Sequence, residues 1–194
     1  MPRIFGEKIM LREYSDEDLM HMREWVNDPE IIDNLSDIFL PPQTWHDTER
    51  FLQLAIEGKL ETKYHFVIAN KDTQTYIGQI DLISVDWKNR STEMGIVIGK
   101  KAFLGKGIGT EAIKLLQYFV FDRLNLNRLQ LSLHEYNQRA YHCYLKCGFV
   151  EEGRFRQNFY INGQYTDHIY MAILRDEYYA RTDNYTPKVT ARHD

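Results

Sequence analysis

The spacing of apolar positions changes along the chain, and each spacing predicts an element. Alternating or near-continuous apolar runs predict strands. They occupy residues 9–13, 64–69, 76–85, 92–98, 128–134, 149–155 and 165–174. The three runs in the middle follow one another without a helix between them, so we expect an antiparallel meander there. Asn162 and Gly163, just before the last run, are a strong hairpin signal.

Helical spacing separates these strands elsewhere. Ser15 with Asp18, and Thr44 with Asp47, each resemble a capping box in which Asp replaces Glu, so helices are expected to open there. Gly58 should end the second helix, and the residues between the two helices should be irregular, over 30–43. The predicted helices are 15–28, 44–56, 107–121 and 138–147, with a helical turn over 175–181.

This order of elements predicts one layered domain of the α/β (α+β) class. We expect a mixed, mostly antiparallel central sheet of about seven strands flanked by helices. The chain has 194 residues, enough for one hydrophobic core. No linker or repeat divides it, so the domain is expected over residues 1–181. Residues 182–194 are polar, carry Pro187 and show no periodicity, which is typical of a flexible tail.

Composition narrows the possible functions. The net charge of −4 and the lack of a basic patch argue against nucleic-acid binding. The two cysteines, Cys143 and Cys147, are too few for a disulfide framework or a zinc site, and no metal is expected. There is no signal-like start and no apolar run of the ~20 residues that a membrane helix needs. We therefore expect a cytoplasmic protein without a membrane partner.

Three alternating glycines, Gly105, Gly107 and Gly109, stand between a predicted strand and a predicted helix. Glycine lets the backbone approach a ligand closely, and a helix N-terminus presents free N–H groups. A pyrophosphate suits such a loop. The P-loop string does not occur, and the dinucleotide pattern fails because Thr110 stands where its last glycine belongs. Read alone, the string fits a plain glycine turn equally well.

A second string runs from Asn137 to Phe149. Asn137 is a natural N-cap for the helix over 138–147. Tyr144 follows seven residues later, two turns along the same face, and Gly148 ends the helix before the next strand. On spacing alone, Tyr144 is a tyrosine packed on the sheet and Asn137 is only a cap.

Together, these two strings resemble the GNAT acyltransferase superfamily, in its branch of ribosomal-protein and spermidine N-acetyltransferases. Residues 104–109 match its motif Gln/Arg-x-x-Gly-x-Gly/Ala, except that Leu104 replaces Gln or Arg. Residues 137–149 match its motif Asn-x-x-Ala-x-x-x-Tyr-x-x-x-Gly-Phe, and the similarity covers about residues 7–175. It implies an enzyme that moves an acetyl group from acetyl-CoA to a primary amine, on a sheet whose central strands splay apart.

The resemblance also implies a cofactor site. The pantetheine arm of acetyl-CoA would lie along Ile96, Val97 and Ile98, and Asn137 would hydrogen-bond to it. Because Leu104 has no polar side chain, the pyrophosphate would be held mainly by backbone N–H groups. The implied pyrophosphate contacts are Leu104, Gly105, Lys106, Gly107, Ile108, Gly109 and Thr110.

Catalytic roles follow from the same resemblance. Tyr144 would be the general acid for the leaving thiolate, and Glu93 would be the base for the amine or the anchor for a cationic amine. Glu93 fits a solvated strand carboxylate equally well. His134, at a strand end, fits a proton relay or a structural imidazole.

The sequence does not identify the acceptor amine. Residues 25–45 contain four carboxylates and no lysine or arginine, and an acidic entrance would attract a cationic amine. Residues 159–165 resemble the same stretch of spermidine N-acetyltransferases. A protein N-terminus, another small amine and a polyamine (spermidine or spermine) all remain candidates, as does a non-catalytic acyl-CoA-binding module. The aromatic final strands would also suit a homodimer or a larger homo-oligomer.

Overall fold

The computed structural model describes residues 3–62 and 64–182 of the chain. An eight-stranded sheet has the order β1-β2-β3-β4-β5-β6-β8-β7. The strands are β1 (Ile4–Phe5), β2 (Ile9–Arg12), β3 (His65–Asn70), β4 (Tyr76–Asp86), β5 (Ser91–Val97), β6 (Arg128–His134), β7 (Val150–Ile161) and β8 (Gln164–Leu174). The tail predicted over 182–194 lies outside the described residues, except for Thr182.

Helices cover the sheet on both faces. They are α1 (Asp18–Arg23), α2 (Pro29–Ile32), α3 (Trp45–Ile56), α4 (Ile108–Tyr118), α5 (Gln138–Lys146) and α6 (Arg175–Thr182). Short 3₁₀ turns occur at Asp37–Phe39 and Lys101–Phe103, and a π turn at Phe119–Arg123 follows α4.

The central strands splay, as the resemblance implied. Every neighbouring pair of strands is antiparallel except β5 and β6, which are parallel. These two pair only over three positions, from Ser91 with Arg128 to Glu93 with Gln130. Beyond that point β5 runs on to Val97 and β6 to His134 without pairing with each other, although β5 still pairs with β4 and β6 with β8. The mixed, mostly antiparallel sheet predicted from the sequence is confirmed.

Two hydrophobic cores lie on opposite faces of the sheet because side chains alternate along each strand. Leu11 and Ile68 belong to the core shared with α4 and α5. Their neighbours Met10 and Val67 belong to the core shared with α1 and α3. We call these faces the cofactor face and the acceptor face. The opening between β5 and β6 connects the two faces, and the site predicted from the sequence is expected there.

The two predicted capping boxes have different outcomes. At Thr44 both reciprocal bonds form, and α3 begins at Trp45 as expected. At Ser15 the backbone N–H does donate to Asp18 Oδ2, at 2.9 Å, but α1 begins only at Asp18. Asp18 turns inward, where Arg12 binds both of its oxygens at 2.8 and 2.7 Å. This buried ion pair fixes α1 to β2.

Other differences from the sequence prediction have simple causes. Strand β1 was missed because two residues show no period. Residues 30–43 include α2 and a 3₁₀ turn, and α1 ends early, at Arg23. Strand β7 extends past residue 155 to Ile161 through a polar stretch with a bulge, where Gln157 has a φ of +51°. A bulged strand with polar side chains shows no alternation of apolar positions, so its sequence does not predict a strand.

Candidate active site

The glycine loop presents unpaired backbone to open space. Gly107 is the N-cap of α4, has a φ of +82°, and supplies no side-chain cap. The first N–H groups of a helix have no partner within it, so those of Ile108, Gly109 and Thr110 point outward. No atom lies within 4 Å of where a Cβ would stand on Gly105 or Gly107. A pyrophosphate therefore fits here, because donors and room coincide.

Two residues of the predicted loop contribute differently. The N–H of Leu104 donates to the carbonyl of Lys101 at 3.1 Å, so it is not among the unpaired donors. The ammonium of Lys106 lies 5.8 Å from the centre of the Phe103 ring, at the outer side of the loop. The amide groups of the first turn of α4 thus carry most of this anion site.

The second half of β5 offers a free backbone edge. On one side, Ile96 pairs with Ile80 and Val97 with Gln79 of β4. On the other side, β6 has diverged, so these residues and Ile98 have no strand partner there. An extended arm with amide groups, such as pantetheine, would complete this edge as an added strand does.

Helix α5 carries Tyr144, and its N-cap Asn137 follows the last residue of β6 by three positions. The carboxamide oxygen of Asn137 accepts from Ala140 N at 3.1 Å, which confirms the N-cap. Tyr144 is buried in the cofactor-face core, with its ring centre 5.9 Å from that of Phe149. Burial raises the pKa of Tyr144 well above its ordinary value, and the nearby thiols of Cys143 and Cys147 raise it further. Its hydroxyl therefore keeps its proton.

Glu93 lies on the acceptor face. Cross-strand partners share a face, and the pair Leu82–Met94 belongs to the cofactor-face core. A bulge follows, and Glu93 pairs with Ser84 on β4 and with Gln130 on β6. Burial raises the pKa of its carboxyl group. Glu93 and Tyr144 thus stand on opposite faces of the sheet.

A cleft of about 520 Å³ lies beyond the end of β6. Segment 29–34 forms one wall and the β7–β8 hairpin the other. Asn162 Nδ2 donates to Asp33 Oδ2 at 3.0 Å, and the hydroxyl of Tyr136 donates to the carbonyl of Asp33. Sequence reasoning missed Tyr136, which lies 103 positions from Asp33. Asn162, 129 positions away, lies in the stretch 159–165 that the resemblance singled out.

The acidic segment is only partly available to a ligand. Lys101 pairs with Asp28 at 2.6 Å and with Glu30 at 2.7 Å. Asp33 and Asp37 form no salt bridge within residues 3–62 and 64–182. In this segment, the carboxylates available to bind a cationic ligand are therefore those of Asp33 and Asp37.

His134 holds the acidic segment in place. Its Nε2 lies 3.0 Å from the carbonyl oxygen of Leu35, to which it donates. The other ring nitrogen, Nδ1, is buried and has no hydrogen-bond partner. Phe159 and His168 stack on the ring, with centres 3.8 and 5.2 Å away. These contacts favour the structural interpretation of His134 over a proton relay.

Residues 3–62 and 64–182 contain neither a membrane-spanning helix nor a cluster of metal ligands. No helix there is long and apolar enough to cross a membrane. No group of three or more His, Cys, Asp or Glu side chains in the same segments is placed to hold a metal ion.

Comparison with known proteins identifies the family of the chain. Residues 8–150 match the acetyltransferase (GNAT) domain family. The chain is 32% identical to a spermidine N(1)-acetyltransferase of Vibrio cholerae over 143 residues, 74% of this chain and 80% of that one. It is 37% identical over 101 residues to a putative ribosomal N-acetyltransferase, YdaF, of Bacillus subtilis, 52% of this chain and 55% of that one.

Solved structures give the same result. The crystal structure of spermidine N-acetyltransferase from Vibrio cholerae in complex with CoA and spermine matches with a TM-score of 0.77 and 29% identity. The match covers 90% of this chain and 99% of that one. With a family match over most of the chain and the splayed sheet in place, the chain belongs to the GNAT family of acetyl-CoA-dependent N-acetyltransferases.

Proposed function

We propose that this enzyme acetylates a primary amine of a polyamine such as spermidine or spermine, by direct attack of the amine on acetyl-CoA. The observation that carries the proposal is the cleft at Asp33, whose carboxylate has no cationic partner in the described chain and which lies beside Tyr136, two residues beyond the end of β6. A polyamine has several ammonium groups, so one can bind a carboxylate while another reacts.

The cofactor residues have distinct tasks. Acetyl-CoA supplies the activated acyl group as a thioester. The first-turn amides of α4 would bind its pyrophosphate, and the free edge of β5 with Asn137 would align its pantetheine arm. Bound in this way, the thioester would lie between the two faces of the sheet. Positioning of this kind contributes a large share of rate enhancement in bimolecular reactions.

Proton transfer is divided between the two faces. Glu93, on the acceptor face, takes the proton from the attacking ammonium, and its raised pKa makes it a stronger base than an ordinary glutamate. The free amine forms the C–N bond as the C–S bond breaks. Tyr144, on the cofactor face, gives its proton to the departing sulfur. The products are the N-acetylated amine and CoA.

The positions of the cysteines support a single transfer step. A covalent acyl-enzyme would need a nucleophile at the thioester, and thiols are the strongest candidates among side chains. Both thiols instead contact Thr110 in the phosphate loop, at 3.3 Å from Cys143 Sγ and 3.7 Å from Cys147 Sγ. We expect the mass of the enzyme to stay unchanged after incubation with acetyl-CoA alone.

A protein N-terminus is the second candidate acceptor. It is favoured by the relative in Bacillus subtilis that is named a putative ribosomal N-acetyltransferase. It is also favoured by exposed apolar side chains beside the acidic segment, where Ile38 and Leu40 are about 70% exposed (71% and 70%). These side chains would suit the residues that follow an N-terminus.

A turnover assay separates these proposals. The purified enzyme is given acetyl-CoA with spermidine, spermine or an N-terminal peptide, and CoA release is followed. Faster turnover of the polyamines supports the first proposal, and faster turnover of the peptide replaces it with the second. Calorimetry that shows acetyl-CoA binding without turnover of any amine would instead indicate a non-catalytic module. Self-association through the exposed Phe155, Tyr160 and Tyr165 stays a prediction.

A further inference from the structure

The two cysteines lie against the loop that is proposed to bind the pyrophosphate. Cys143 Sγ is 3.3 Å from Thr110 Oγ1, and a Cβ on Gly109 would stand 3.7 Å from the same sulfur. Cys147 is one turn further along α5, and its sulfur lies 3.7 Å from the carbonyl oxygen of Thr110. Both thiols therefore pack against the first turn of α4.

The two thiols differ in access and in ionisation. Cys143 is half-buried, whereas Cys147 is buried. The pKa of Cys143 is lowered to about 6, first because the neighbouring Cys147 thiol can donate to its sulfur, and also by Thr110 and Lys146. The same contact and burial raise the pKa of Cys147. The thiolate is the nucleophilic form of cysteine, so the accessible member of the pair is also the reactive one.

We propose that Cys143 is a modification site for low-molecular-weight disulfides, and that the adduct excludes acetyl-CoA. The thiolate of Cys143 attacks one sulfur of the disulfide and forms a mixed disulfide. The original S–S bond breaks, and its second half leaves as a thiolate that takes a proton from water. A free thiol reverses the exchange. The inference rests on the assignment of residues 104–110 to the cofactor, proposed above.

Exclusion follows from the packing. A Cβ added at Gly109 would stand 3.7 Å from Cys143 Sγ, so the gap between α5 and α4 has room for one methyl group and not for a glutathionyl group. The adduct must therefore lie outside this gap, next to Thr110 and the first-turn amides of α4. An adduct such as glutathione would also bring carboxylates to the helix N-terminus and compete there with phosphate.

Oxidised glutathione is the probe for the test, with mass spectrometry to count and locate adducts. We expect one adduct on wild type and on C147S, and none on C143S over the same time. Saturating acetyl-CoA should slow the modification about tenfold or more, because the cofactor covers the thiolate. The chain has only these two cysteines, so each variant is the control for the other.

Calorimetry with acetyl-CoA then tests the consequence. The glutathionylated enzyme should lose acetyl-CoA affinity about tenfold or more, keep its circular dichroism spectrum, and recover on addition of dithiothreitol. Unchanged affinity, no protection by acetyl-CoA, or an unfolded adduct would overturn the proposal. Failure of the enzyme to acetylate polyamines would leave this result intact, because the measurement follows the cofactor and not the acceptor.

Discussion

The cofactor side and the acceptor side of this enzyme are built in different ways. The cofactor side is made of neighbours in sequence: the strand β5, the loop at Gly107 and the first turn of α4 follow one another. The acceptor cleft is assembled from segments more than a hundred positions apart, with Asp33 held by Asn162 across 129 positions. A ligand bound by backbone amides needs a local motif, whereas a ligand bound by side chains across a cleft needs the whole fold.

Electrostatics follow the same division. On the cofactor side, the unpaired N–H groups and the positive dipole end of α4 favour the binding of an anion. On the acceptor side, Lys101 neutralises Asp28 and Glu30, while Asp33 keeps its charge for a cation. The proposed mechanism requires both sides at once, because Tyr144 and Glu93 lie on opposite faces of the sheet. The two sides can be tested separately, because cofactor binding, the chemical step and acceptor binding are each measurable on their own.

The largest expected effect is on chemistry from the cofactor face. Tyr144→Phe removes the proposed acid and should lower kcat by about 10²–10³-fold, in the range reported for general acids, with acetyl-CoA affinity unchanged. Stopped assays and calorimetry measure the two quantities. The control is Tyr141→Phe on the same helix, whose hydroxyl donates to Glu151 at 2.9 Å, away from the site. Equal kcat in both variants would remove the acid role from Tyr144.

Tyr144 also makes a prediction about pH. An acid must be protonated to act, and burial raises the pKa of Tyr144 above its ordinary value of about 10. Turnover should therefore not decline between about pH 8 and pH 10 through loss of this proton. A tyrosine-dependent fall in kcat within that interval would contradict the assigned environment.

Glu93→Gln is expected to have a smaller effect, on kcat/KM for the amine, of about 10- to 100-fold. A base acts only when deprotonated, and the pKa of Glu93 is raised by burial. In wild type, kcat/KM should fall as pH falls through that raised pKa. The variant should lose this dependence. If wild type and Glu93→Gln have the same pH profile, the fall of kcat/KM at low pH would come from protonation of the acceptor amine alone.

Gly107→Ala tests the cofactor loop through binding. A left-handed φ costs a non-glycine residue roughly 1–2 kcal/mol, and relief of that strain would turn the amides away from phosphate. We expect acetyl-CoA affinity to fall about tenfold and the free energy of unfolding to fall by about 1 kcal/mol. Gly58→Ala is the matched control, because Gly58 has a φ of +65° and equally open surroundings. It should show the same loss of stability without the loss of affinity.

The smallest expected effect is on the acceptor side. Asp33→Asn preserves the acceptor oxygen for Asn162 but removes the charge, so the KM for spermidine should rise about tenfold or less, with acetyl-CoA affinity unchanged. Glu49→Gln, on an exposed position of α3, is the charge-matched control. The same KM in both variants would place the polyamine elsewhere on the molecule.

The sequence predicts strands and helices correctly wherever burial of one face produces a regular spacing of apolar residues. The strand β6 was predicted with both ends correct because Leu129, Leu131 and Leu133 alternate into one core. The polar half of β7 and the two-residue β1 were not, because neither presents a repeated apolar position. For α1, the pairing of Asp18 with Arg12 moved the helix start three residues beyond Ser15. That ion pair is a tertiary contact and leaves no local signal.

What the sequence determined by itself is the cofactor side. Glycines at a helix start and an asparagine cap seven residues before Tyr144 are local constraints, and backbone geometry follows from them directly. Only the tertiary structure decided the acceptor side. Its main features all join distant segments. They are the divergence of β5 and β6 after Glu93, the ion pair of Lys101 with Glu30, and the hydrogen bond from Asn162 to Asp33. Such contacts depend on how strands are ordered in the sheet, which no short stretch of residues specifies.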